Sequence, residues 1–172
     1  MKFKFFLSLI VVFIASLQLL NAQKFGHINS AAIIEAHPKV SVANVELESF
    51  RKMLVDSFTV KVQAFETRYK TFLEESTSGS LSQVRAEAKQ NELKEEQQAL
   101  STEEQQIQFR ILQKREELLK PILIDVDNVI QAIGKAGNYT MIFDTSVAGA
   151  LLFAAESDDL TEQVKSSCMA KQ

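Results

Sequence analysis

Between Lys39 and Lys120 there is one glycine and no proline, and the apolar residues on either side of that glycine mirror one another. The stretch is rich in Glu, Gln, Lys, Arg and Ala, a composition that favours long helix. Ser76-Thr77-Ser78-Gly79-Ser80 is its one turn-forming cluster, and Ser80 with Gln83 fits a capping box that restarts a helix. Two long helices joined by a tight turn run antiparallel, so facing residues should have numbers that add to a constant. The pairs Val40–Leu118, Leu47–Ile111, Phe50–Ile107, Phe58–Leu100, Phe65–Leu93, Tyr69–Ala88 and Phe72–Val84 all add to 156–158. Phe58, Phe65 and Phe72 step by seven, as do Leu93, Leu100 and Ile107, which is the seam of an antiparallel coiled coil.

The predicted arm covers residues 46–120 with its tip at 76–80, and the rest divides into a leader, 1–22, and a body made of 23–45 and 121–172. Each arm helix of roughly 38 residues would extend about 57 Å at 1.5 Å per residue. Only 26 of the 75 arm residues are apolar, enough for one seam between two helices and too few for a third layer of core. The leader has Lys2 and Lys4, an apolar run from Phe5 to Leu20, and a small residue, Ala22, at the expected cleavage point. Its run of about sixteen residues falls short of the roughly 20 a spanning helix needs, so cleavage and export of a soluble product are expected.

The body segment 121–155 holds 21 apolar residues in 35. Pro121 marks an expected kink, and Ile122, Val126, Val129, Ile130 and Ile133 continue helical spacing up to Gly134 and Gly137. Three strands are predicted, at Lys24–Asn29, Tyr139–Asp144 and Ala150–Ala155, with a last helix opened by Ser157-Asp158-Asp159 and reaching Cys168. The fold class is α+β. Three short strands leave open edges, and joining copies of the body closes them, so a homo-oligomer is expected.

Several chemistries find no support. The chain after residue 22 carries 17 basic and 22 acidic side chains, a net of −5, which does not suit nucleic acid. No glycine-rich loop precedes a helix, so nucleotide binding is not expected, and neither is any other cofactor. His27 and His37 have no Cys or second His at metal-ligand spacing, and Cys168 has no histidine near it in sequence. The paired acids Glu74-Glu75, Glu95-Glu96, Glu103-Glu104 and Glu116-Glu117 read as solvated helix faces, and no catalytic residue is identified.

What remains is an interaction surface. The seam accounts for Leu47, Phe50, Phe58, Phe65, Phe72, Val84, Leu93, Leu100, Ile107 and Ile111. It leaves Met53, Val55, Val60, Leu73 and Phe109 without partners across the hairpin, and exposed apolar side chains on an arm can bind another chain. The aromatic stripe including Tyr69 allows the same second use. Arg68, Lys70, Arg85, Lys89 and Lys94 near the tip could add a charged grip, but Glu74, Glu75, Glu87 and Glu92 nearly balance them.

The order of these parts resembles the Skp/OmpH family of periplasmic chaperones over residues 24–168. The likeness is carried by Lys24-Phe25-Gly26-His27-Ile28-Asn29-Ser30, by Glu117-Leu118-Leu119-Lys120-Pro121-Ile122 and by Gly137-Asn138-Tyr139-Thr140-Met141-Ile142-Phe143-Asp144. Leu151-Leu152-Phe153-Ala154-Ala155 followed by Asp159-Leu160-Thr161 adds to it. The resemblance implies a periplasmic homotrimer whose bodies join around a small β-barrel. Three arms would enclose a cavity that holds unfolded outer-membrane proteins without ATP. Contact with outer-membrane lipid draws no support from the acidic charge balance. The competing expectation is a structural or adaptor coiled-coil protein of the cell envelope.

Overall fold

The computed structural model describes residues 23–170; the expected leader lies outside them. The elements are β1 (Lys24–Ile28), α1 (Ser30–Ala36), α2 (Pro38–Thr77), α3 (Gln83–Ala136), β2 (Tyr139–Asp144), a 3-10 turn (Glu156–Asp158) and α4 (Thr161–Ala170). The class is α+β, dominated by two long helices. Contacts divide the described residues into two compact units: 37–124, and 23–36 together with 125–170. Among the described residues no helix is long and apolar enough to cross a membrane.

In the unit made of residues 23–36 and 125–170, β1 and β2 pair in parallel, with Phe25 opposite Met141 and Ile28 opposite Asp144. The inward side chains form one core. Ile28 and Ile33 meet Val126 and Val129 from α3 and Leu160, Val164 and Cys168 from the C-terminal segment. Here the sequence spacing 126, 129, 130, 133 turns one face of α3 onto the sheet. Gly26 is small because nothing larger fits: a Cβ there would lie 2.8 Å from the Leu160 side chain. Helix α3 ends with the Gly137 N–H donating to the Ile133 carbonyl, and Asn138 takes φ 53°, a left-handed stop that asparagine tolerates.

Two expectations are corrected here. Ala150–Ala155 is not a strand; residues 145–155 form turns and coil, with Leu152 and Phe153 95% and 88% exposed. A strand needs a ladder partner, and the free side of β1 is taken instead by a one-residue bridge between His27 and Asp159, where Leu160 N–H donates to the His27 carbonyl at 2.8 Å. The last helix starts at Thr161, later than its acidic run suggested. The Leu160 carbonyl accepts the first helical N–H, from Val164 at 2.9 Å, and the Asp159 carboxylate before it accepts the Thr161 N–H at 2.8 Å and the Thr161 hydroxyl at 2.5 Å. Helix α3 continues through Pro121 without ending there.

Hydrogen bonds tie chain ends that are far apart in sequence. The Asp144 carboxylate accepts the Ser30 N–H at 3.1 Å, the Ser30 hydroxyl at 2.5 Å and the Ser146 N–H at 2.9 Å. Asn29 N–H donates to the Thr161 hydroxyl oxygen at 3.0 Å, while its own amide oxygen accepts from Ala32 N–H and starts α1. One four-residue stretch, His27 to Ser30, therefore fastens β1 to both later segments.

Candidate interaction surfaces

The unit His37–Ile124 is built from α2 and the first part of α3, and His37 begins it by accepting the Lys39 N–H on Nδ1 at 3.3 Å. Leu54 and Ile107 are buried, and Leu47, Phe50, Phe58, Phe65, Phe72, Leu93, Leu100 and Ile111 are half-buried. Half-burial is what a two-helix seam provides, since each side chain has a partner helix on one side and water on the others. Tyr69 and Val84 depart from the expected pairing, being 47% and 77% exposed. The turn explains Val84: α2 closes at Thr77 and α3 opens only at Gln83, so Val84 lies in the first helical turn, where the partner helix has ended. Phe72 instead lines a cleft with Lys89 and Leu93.

The tip also differs from the expected capping box. Ser80 does not cap α3; its hydroxyl and its N–H both donate to the Glu75 carbonyl and finish α2. Gly79 sits at φ +70°, a conformation that side chains with a Cβ resist. Helix α3 starts two residues later than Ser80 allows, with Ser82 offering its carbonyl to Ala86 N–H.

Beside the apolar seam runs a second column that the sequence reading did not identify. Lys61 meets Glu103 at 2.6 Å, Arg68 makes a two-pronged contact with Glu96, and Glu75 meets Lys89. The three pairs step by seven along each helix and every one adds to 164. Closer to the far end of the hairpin, Lys114 bonds Glu46 at 2.8 Å and Glu117 at 3.2 Å, and these carboxylates hold its ammonium above the usual lysine range. Each exposed pair contributes little on its own, because water and salt screen it. Their order matters more for register. A slip of one heptad would set Arg68 against Lys89 in one direction, or Lys61 against Arg110 and Glu75 against Glu96 in the other, so the ladder disfavours both. The signal that could have found it was the constant sum, applied to charges as well as to apolar residues.

The candidate binding residues are dispersed. Met53, Val55, Val60, Leu73 and Phe109 are all exposed. Relative to the heptad, Val55 and Leu73 flank the seam on the side away from the ladder, whereas Met53, Val60 and Phe109 lie on the outward faces of their helices. Arg68 and Lys89 are engaged in the ladder. Lys70 and Arg85 are exposed and make no ion pair among the described residues.

The other unit carries a second apolar surface. Phe25, Met141 and Phe143 are exposed on one face of the two-stranded sheet, with the Phe25 and Phe143 rings 6.3 Å apart. Catalytic chemistry is poorly served there. The Ser30 hydroxyl does touch a carboxylate, but Asp144 has its pKa at about 2. Burial alone would raise it, and the hydrogen bonds from Ser30 and Ser146 more than reverse that. Such a carboxylate is too weak a base to activate a serine at neutral pH. His27 Nε2 lies 3.3 Å from the Ala155 carbonyl oxygen, and its Nδ1 lies 3.9 Å from the Asp159 carboxylate.

Comparison with known proteins gives two findings. The family described as outer membrane protein (OmpH-like) matches over residues 24–167. A crystal structure from Caulobacter crescentus CB15, described as a candidate outer membrane chaperone (OmpH-like), has the same fold. The TM-score is 0.72 at 15% identity, covering 87% of this chain and 86% of that one. No curated protein matches the chain.

Proposed function

Since the chain belongs to the OmpH-like family, we propose that it is an ATP-independent holdase for unfolded outer-membrane proteins, acting in the periplasm after its leader has been cleaved near Ala22. The observation that carries this reading is a slender hairpin bearing apolar side chains that its own fold leaves in water. An unfolded client offers matching apolar segments at many points along its length. Each contact is weak and breaks easily, while many contacts on a small set of arms give strong retention through effective concentration. Release then needs no fuel, only a more stable destination for the client. No step of this cycle makes or breaks a covalent bond.

The working form in this reading is a homotrimer joined through the other unit. Phe25, Met141 and Phe143 on the sheet face, with Leu152 and Phe153 beyond it, support such an assembly. A two-stranded sheet is marginal alone and gains from strands or side chains supplied by further copies. Three arms around one cavity would then hold a single client.

The test is dilution of a urea-denatured β-barrel protein of the outer membrane into buffer with and without the mature chain, followed by light scattering. Suppression at one trimer per client is expected. Undiminished scattering at that ratio, or suppression confined to one particular folded partner, would reject the holdase in favour of an adaptor.

A further inference from the structure

The hairpin has two unlike flanks. On a helix, a residue three positions after a seam residue and one four positions after it fall on opposite sides of the seam. The ladder residues Lys61, Arg68 and Glu75 are the first kind, three after Phe58, Phe65 and Phe72, and so are Glu96 and Glu103, three after Leu93 and Leu100. Because these charged columns meet one another, the residues of the second kind on both helices must share the other flank. On α2 they are Val62 and Tyr69, extended one heptad back by Val55 and one turn on by Leu73. On α3 they are Gln97 and Glu104, extended one heptad back by Gln90.

This second flank differs in chemistry as well as position. Val55, Tyr69 and Leu73 are between 41% and 47% exposed, and Tyr69 lies against Phe65 with ring centroids 6.1 Å apart. Gln90 and Gln97 make no side-chain hydrogen bond among the described residues, so their amides remain available. From Val55 to Tyr69 and from Gln90 to Glu104, the two columns bordering this side carry only Glu66, Lys94 and Glu104 as charges. The ladder flank, by contrast, presents charges that are already paired, and a chain laid across it would have to displace those pairs or desolvate them.

We infer that the unpaired flank, Val55, Val62, Tyr69 and Leu73 with Gln90 and Gln97, is the surface on which an extended segment of an unfolded membrane β-barrel protein docks. This deepens the holdase reading and rests on it. The match is chemical. A barrel strand alternates apolar and polar side chains and is largely uncharged on its lipid side. Valine, tyrosine and leucine accept its apolar side chains. A glutamine amide is both donor and acceptor, so it pairs with the N–H or the C=O of any peptide unit whatever the sequence. Promiscuity and affinity therefore come from the same strip, and the ladder flank is left to hold the register of the hairpin.

The test uses the mature full-length chain carrying a photo-crosslinking amino acid at Leu73, Gln97, Met53 or Phe109, mixed with a urea-denatured outer-membrane barrel protein. Crosslinked client is expected to be several-fold more abundant from Leu73 and Gln97 than from Met53 and Phe109. In parallel, the double variant Tyr69→Ser/Leu73→Ser should bind that client roughly tenfold more weakly. The double variant Val42→Ser/Leu112→Ser, altered at exposed residues elsewhere on the hairpin, should bind as the parent does. Helical circular dichroism confirms that each variant is folded. Equal or stronger crosslinking from Met53 and Phe109, or equal losses in the two double variants, overturns the assignment while leaving the holdase intact. A parent chain that retains no client overturns both.

Discussion

Asp144 is the place where stability and pH are most directly linked. Its carboxylate collects the Ser30 N–H, the Ser30 hydroxyl and the Ser146 N–H, and its pKa of about 2 lies below the ordinary 3.8. A folded pKa below the unfolded one means that the charged form is bound by the fold. The contribution is present above about pH 4 and is lost as pH falls toward 2. At about 1.4 kcal/mol per pH unit the full effect would slightly exceed 2 kcal/mol, and partial exposure to water lowers it to about 1–2 kcal/mol. Asp144→Asn keeps the shape, removes the charge and replaces one acceptor with a donor facing the Ser30 hydroxyl. It should destabilise this unit by about 1–2 kcal/mol at pH 7, and the gap from the parent should close on approaching pH 2. The chain has two tyrosines and no tryptophan, so a Tyr69→Phe background leaves Tyr139, at the other end of β2 in the same unit, as the single reporter. Urea unfolding followed by its fluorescence, at fixed protein concentration, gives the comparison at each pH. A stability gap of unchanged size from pH 7 to pH 2.5 would refute the argument, because it would mean that the charge is not what the hydrogen bonds hold.

Other substitutions probe other parts. Ile33→Ala empties a site that is 1% exposed in the core and should cost about 2–5 kcal/mol, read from the same tyrosine signal. Arg68→Glu places two carboxylates together in the ladder and should lower the melting temperature of the hairpin; adding Glu96→Arg should restore most of the loss, which a calorimetric double-mutant cycle would detect. Gly79→Ala forces a Cβ into φ +70° with no clash nearby, so only the backbone term is paid, about 1 kcal/mol, with Gly79→Asn costing less.

The sequence was legible where one local period governs the outcome. A seven-residue step fixes which face of a helix is apolar, so the half-buried line of Phe58, Phe65 and Phe72 could be named without coordinates. The stretch Tyr139–Asp144 was legible for a similar reason, since a short β-type run after two glycines has few other uses. Ala150–Ala155 was misread because a strand is defined by its partner, and apolar composition says nothing about which edge is free. Val84 failed because its pairing depended on how many residues the turn consumes. The links from Asn29 and Ser30 to Asp144 and Thr161 were invisible, as they join residues 114 to 132 positions apart through polar groups with no periodic signature. On the binding side, apolar residues off the seam could be listed, but sorting Val55 and Leu73 from Met53, Val60 and Phe109 required knowing which flank the ion pairs occupy.

Sedimentation velocity on the mature chain mixed with a urea-denatured outer-membrane barrel protein, with circular dichroism of the isolated complex, bears most directly on the central claim. The account predicts a soluble species of three chains and one client, in which the client lacks the β-sheet signal of its folded barrel. A monomeric chain sedimenting apart from aggregated client, or a complex formed only with the folded barrel, would contradict it.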